Sequence, residues 1–115
     1  MLDSLVASGM ECDFTVAGDE VELTPGVNLV AYRVIEAVLT AAARDSVGHA
    51  SVVVRYTGRD LELEIRGNDP VDDLDAQTNA VAQRVALYDG SLHADTTAEG
   101  FVVTAALPLR ASVLA

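Results

Sequence analysis

The stretch Ala31–Ser46, AYRVIEAVLTAAARDS, constrains this chain more than any other. It has the spacing of a long amphipathic helix, and the start of that helix is marked. Thr24 carries the short hydroxyl side chain that caps a helix N-terminus, and Pro25 suits the first helical position, where no N–H is needed. From there Val27, Val30/Ala31, Val34, Val38 and Ala41/Ala42 recur at helical spacing and line one face. The pattern predicts an end near Ser46 to Gly48. A helix this apolar on one side must bury that side against another layer.

The rest of the chain supplies the layer. Asp13–Gly18 alternates and then turns, which predicts a strand. Ala50–Thr57 is β-branched and short, and Gly58-Arg59-Asp60 makes a tight turn. Leu61, Leu63 and Ile65 then alternate with Glu62, Glu64 and Arg66, giving a hairpin with one buried and one wet face. Gly67–Asp75 reads as a loop. Ala76–Tyr88 reads as a second helix, with Ala80/Val81, Ala82/Val85 and Tyr88 inward. Asp89-Gly90 ends it, the glycine suiting a left-handed cap. Ser91–Thr97 and Phe101–Leu107 form a last hairpin that Pro108 stops. Leu2–Val6 reads as a short apolar helical turn. The order βαββαββ predicts one domain over residues 1–115. Its fold class is α+β, a two-layer sandwich with a mixed, mostly antiparallel sheet and helices on one face.

Composition excludes several classes. At 115 residues, half of them apolar, the chain can bury a core without staples. No apolar run approaches the ~20 residues that span a bilayer, and Met-Leu-Asp-Ser-Leu lacks the basic patch and apolar core of a signal peptide. The expected location is the cytoplasm. The single cysteine, Cys12, excludes an internal disulfide. Net charge is −11, and all seven basic residues are arginine. An acidic surface argues against nucleic acid or an anionic membrane as partner, since both need a positive patch.

Four segments, in order, resemble the ATP-binding domain of the sensor histidine kinases, a branch of the GHKL group. Tyr32, Arg33, Val34, Leu39, Thr40 and Arg44 match its first-helix motif YRIVQEALTNAxRHA. Leu61–Arg66 resembles the strand leading into its DDG or DNG box. Arg84–Leu92, RVALYDGSL, resembles its RVALYGGxL segment, and Gly100–Leu109 resembles its closing GTxVxAxLPL strand. The match covers nearly the whole chain and begins downstream of the helix that carries the phosphoacceptor histidine in that family.

The resemblance implies a Mg-ATP site, and several of its positions are altered. The motif glutamate is Ala37, and the asparagine that supplies an oxygen to magnesium is Ala41. Arg44 stands where the family often has a basic residue near phosphate. The aspartate that accepts the adenine amino hydrogen bond aligns with Gly67, followed by Asn68 and Asp69; a one-residue slip would bring Asn68 or Asp69 into that role. The glycine-rich lid corresponds to Pro70–Ala80, which has no glycine and carries Asp72, Asp73 and Asp75 where phosphates would lie. Lost contacts of this kind sum to about 5 kcal/mol, or roughly three to four powers of ten in affinity. The expected cofactor is therefore none, or Mg-ATP if the site works.

The remaining polar residues read as ordinary. His49 falls in a loop, His93 on a wet strand face, and two histidines without a cysteine pair make no metal site. Cys12 reads as a small core residue just before the first strand. Asp69, Asp72, Asp73 and Asp75 fit no EF-hand spacing. Neither a catalytic residue nor a metal ligand is expected. The expected function is that of a degenerate histidine-kinase-type ATPase domain, with weak or no ATP binding, acting as a regulatory or protein-interaction module beside a response regulator or a kinase. The alternatives are a working kinase domain, with Asn68 or Asp69 reading adenine and Asn79 replacing the metal ligand, and a stand-alone anti-sigma-type protein binding a sigma factor. A homodimer stays open as well.

Overall fold

The computed structural model describes residues 11–44 and 48–109. The apolar turn expected at Leu2–Val6 and the helix end expected near Ser46 lie outside these. Among the described residues, five strands and two helices follow in the expected order: β1 (Glu11–Gly18), α1 (Pro25–Arg44), β2 (His49–Tyr56), β3 (Asp60–Gly67), α2 (Leu74–Leu87), β4 (Ser91–Thr97) and β5 (Gly100–Pro108).

The strands form one sheet in the order β1-β2-β3-β5-β4. β1 and β2 are parallel, joined by α1; the other neighbours are antiparallel. β5 inserts between β3 and β4, so those two run the same way and α2 makes their crossover. Both helices cover the same face. Facing them are Val52 and Val54, Leu61, Leu63 and Ile65, and Phe101, Val103, Ala105 and Leu107, all buried. The α+β two-layer architecture follows from this period-2 burial.

α1 begins as its sequence implies. The backbone N–H of Val27 donates to Thr24 Oγ1 at 3.3 Å, and that of Asn28 to the Thr24 carbonyl at 3.0 Å. Nine of its 20 residues are buried, and they form the stripe from Val27 to Ala42. By length and mean hydropathy (1.3) α1 does match a membrane-crossing helix, contrary to the expectation that no run comes close. Its apolar side is spent on the sheet and on α2, which accounts for the composition.

α2 corrects two expectations. It starts at Leu74, not Ala76, because Leu74 and Thr78 extend the buried row of Val81 and Val85, while Ala80 is exposed. Thr78 satisfies its buried hydroxyl by donating to the Leu74 carbonyl at 2.8 Å. At the C-terminus the left-handed residue is Asp89 (φ 61°), not Gly90. The N–H groups of Asp89 and Gly90 close onto the carbonyls of Ala86 and Val85, each at 3.0 Å. Gly90 is needed for a different reason: a Cβ there would overlap the Ala106 carbonyl of β5.

Thr24→Ala removes the cap and should lower stability by about 1 kcal/mol, while Thr24→Ser should stay near the parent. Urea unfolding of the two variants checks this.

Candidate functional site

The positions that the kinase resemblance marks gather where α1, the end of β3 and the start of α2 meet. Ala37, Ala41 and Arg44 lie on α1, and Gly67, Asn68 and Asp69 at the end of β3; Ala41 is buried, while Arg44, Asn68 and Asp69 are exposed.

On α1, Ala41 is 0% exposed and Ala37 is partly buried against the core. Both present only a methyl group. Glu36, next along the helix, faces outward, where it pairs with Arg33 at 2.9 Å and accepts from Tyr32 Oη at 3.5 Å. It is a surface ion pair, turned away from Ala37 by the helical step.

At the end of β3, Gly67 continues the alternation of Leu61, Leu63 and Ile65, so a side chain there would point to the helix-covered face. It stands opposite Phe101 of β5. A Cβ on Gly67 would overlap the Phe101 ring, which is 4% exposed. The residue after Gly100 is threonine in the motif GTxVxAxLPL and phenylalanine here. The motif match passes over this change, and only the register of β3 and β5 reveals its effect.

Asn68 and Asp69 are exposed, and they engage each other and β2. The Asn68 N–H donates to the His49 carbonyl at 3.3 Å. Its side-chain amide, turned to satisfy both neighbours, donates to Asp69 Oδ2 at 3.2 Å and the His49 carbonyl at 3.1 Å. Register therefore puts Gly67, not its neighbours, at the position facing the helices.

The segment that corresponds to the lid is short and anchored. Val71 and Leu74 are buried, and the Val71 N–H donates to Thr96 Oγ1 at 3.3 Å. Arg44, at the end of α1, donates to Gln77 Oε1 at 3.4 Å, and Gln77 Nε2 donates to the Asp72 carbonyl at 3.3 Å. Asp73 and Asp75 point to solvent, and among the described residues no three His, Cys, Asp or Glu side chains converge as metal donors. Asn79 is exposed on α2.

The other candidates lie elsewhere. His49 opens β2 instead of sitting in a loop, with Nε2 3.0 Å from Asp13 Oδ2. His93 is exposed on the wet face of β4. Cys12 lies within β1, half-buried, and burial together with the neighbouring Asp13 charge pushes its thiol pKa up. That disfavours the thiolate a nucleophile would need.

If Phe101 fills the space over Gly67, the two positions must be energetically coupled. Gly67→Ala should cost about 1–3 kcal/mol in the parent and clearly less in a Phe101→Leu background. A double-mutant cycle by chemical unfolding measures the difference.

No protein-family model matches this sequence, and no curated protein matches it either. Solved structures do. The histidine kinase domain from the Erythrobacter litoralis EL346 blue-light activated histidine kinase superposes with a TM-score of 0.73 at 16% identity, covering 97% of this chain and 59% of that one. A further structure of that blue-light activated kinase gives 0.74 at 14% identity over 99% of this chain and 42% of its own. The Acinetobacter baumannii histidine kinase AdeS gives 0.71 at 14% identity over 94% of this chain and 58% of its own. This chain therefore has a histidine-kinase-like fold, and it spans less than two thirds of the length of these structures.

Proposed function

We propose that this chain is a histidine-kinase-type ATPase domain with weak or no ATP binding, acting as a regulatory, protein-binding module in bacterial signalling. The observation that carries the reading is the Phe101 ring in the space of a Gly67 side chain. In the family that the sequence resembles, an aspartate at that position reads adenine. Here the carboxylate is gone, and so is the room for it.

Two further observations support the reading. Magnesium needs oxygen donors; Ala37 and Ala41 have none in their side chains, and Ala41 is sealed from solvent. Phosphate binding at a helix N-terminus uses free backbone N–H groups on a glycine-rich loop. The segment before α2 has no glycine, holds Val71 and Leu74 in the core, and adds aspartates. These residues do not fit Mg-ATP, and no phosphoryl-transfer step is assigned to the chain. What remains is a stable scaffold of strong negative charge. A response regulator, a kinase or a sigma factor in the cytoplasm is the partner class that suits it.

A ligand that binds only the folded state stabilises it by RT ln(1 + [L]/Kd), about 4 kcal/mol at a thousand-fold excess over Kd. The melting temperature should therefore stay flat up to millimolar Mg-ATP. A saturable rise at micromolar ATP would overturn the proposal in favour of a working kinase domain.

Restoring the motif residues alone should fail. Ala37→Glu, Ala41→Asn and Gly67→Asp together should give no calorimetric ATP binding and a less stable protein. A carboxylate introduced at position 67 meets the Phe101 ring, and an amide introduced at position 41 enters a site with no access to solvent. Binding should need Phe101→Thr and a grafted glycine-rich segment before α2 as well. Recovery with the three substitutions alone would show that the ring and the segment do not block the site.

A further inference from the structure

The sheet edge beside α1 is unlike the rest of the surface. Among the described residues β1 pairs only with β2, so its outer side is a strand edge with unpaired backbone groups. Such edges are usually blunted by lysine, proline or a bulge. Glu11–Gly18 contains neither residue, and it pairs with β2 without interruption. Its helix-side residues Phe14 and Val16 stand opposite the buried Val52 and Val54, yet they are 47% and 42% exposed. A cleft of about 190 Å³ opens between them and α1, with Leu61 and Leu63 as its floor and Leu23 and Tyr32 at its sides. No charged side chain lines it. The connection from β1 to α1 carries exposed Asp19, Glu20 and Glu22, none in an ion pair among the described residues.

We propose that this edge and cleft bind an extended, basic segment of another protein, added to the sheet beside β1. Its alternate apolar side chains cover Phe14 and Val16, and its arginine or lysine side chains face Asp19, Glu20 and Glu22. The proposal rests on the reading of the chain as a protein-binding module and names the surface and the chemistry of the partner. Strand addition suits the site because the edge supplies main-chain hydrogen bonds and the cleft supplies side-chain specificity. Charge selects the occupant. A second copy would bring the same acids and a further net charge of −11 to the same edge, and like charges brought together repel. A basic segment turns that repulsion into attraction.

The test uses the full chain and a labelled synthetic peptide alternating isoleucine with arginine. One control has the same composition at helical spacing, and another has glutamate in place of arginine. Fluorescence anisotropy should show binding of the alternating basic peptide, weakened by salt, with little binding of either control. Hydrogen exchange should slow at β1 amides when it binds. The Phe14→Ser/Val16→Ser and Glu20→Lys/Glu22→Lys double variants should each weaken binding about ten-fold or more. All four residues are exposed, so melting should change little. Failure of the basic peptide to bind or to protect β1, equal binding of the acidic peptide, or unchanged affinity in both variants overturns the proposal. A concentration-dependent dimer dissolved by Val16→Ser also overturns it and gives the edge to a second copy. The outcomes separate this surface from the nucleotide reading. A flat Mg-ATP melting curve without peptide binding removes the surface alone. ATP-dependent stabilisation with intact peptide binding removes the nucleotide reading alone.

Discussion

The apolar stripe of α1 holds this molecule together, and it also decides what the site can be. The stripe runs from Val27 to Ala42 and closes both onto the sheet and onto α2. Burying each large apolar side chain of such a stripe contributes roughly 1.5–3 kcal/mol, so the helix cannot turn to present another face. Ala41 lies near the C-terminal end of this stripe with no exposure. An asparagine at that position would bury an amide, and an amide left unpaired there costs about 1–3 kcal/mol. Alanine is therefore the residue that the packing favours at this position.

The same relation holds across the sheet. β3 and β5 are locked in register from Asp60–Pro108 to Gly67–Phe101, so the last pair sets a residue without a side chain against the largest one in the strand. The volume removed at Gly67 is filled by Phe101, as close packing requires. The connection that follows is drawn down by Val71 and Leu74 and fastened to α1 through Arg44 and Gln77. Buried side chains and polar contacts at 3.3–3.4 Å thus join this connection to the core and to α1. Asp73 and Asp75 are exposed, where solvent screens their charge.

The sequence makes the layers legible because periodicity is a local property. The stripe of α1, the alternation of Leu61, Leu63 and Ile65, and the Thr24-Pro25 start all report themselves within a few residues. Ala41 and the glycine-free segment are readable in the same way, by the absence of the needed atoms. Other features depend on which segments meet. Nothing local says that β5 inserts between β3 and β4, so nothing local says that Phe101 covers Gly67. Asp89-Gly90 reads as a glycine cap, yet the approach of the Ala106 carbonyl reserves the glycine for contact and leaves the positive φ to the aspartate. Phe14 and Val16 show the strand pattern equally well for a central or an edge position, and only the sheet order reveals them as exposed. Hydropathy alone likewise cannot tell a core helix such as α1 from one that crosses a membrane.

Charge ties the two ends of the molecule together. Several of the arginines are committed to close neighbours: Arg33 to Glu36, Arg55 to Glu62, Arg66 to Glu64 and Arg44 to Gln77. Exposed pairs of this kind add little to stability, typically under about 1 kcal/mol each, but they neutralise positive charge where it stands. The excess of acid is then expressed elsewhere, on the segment before α2 and on the connection before α1. In the proposed reading a triphosphate approaching the first would meet like charge. A basic segment approaching the second meets opposite charge, an open strand edge and an uncovered apolar cleft. In the proposed reading the same net charge opposes one ligand class and favours the other, and the two surfaces lie on different elements, so either can change without the other.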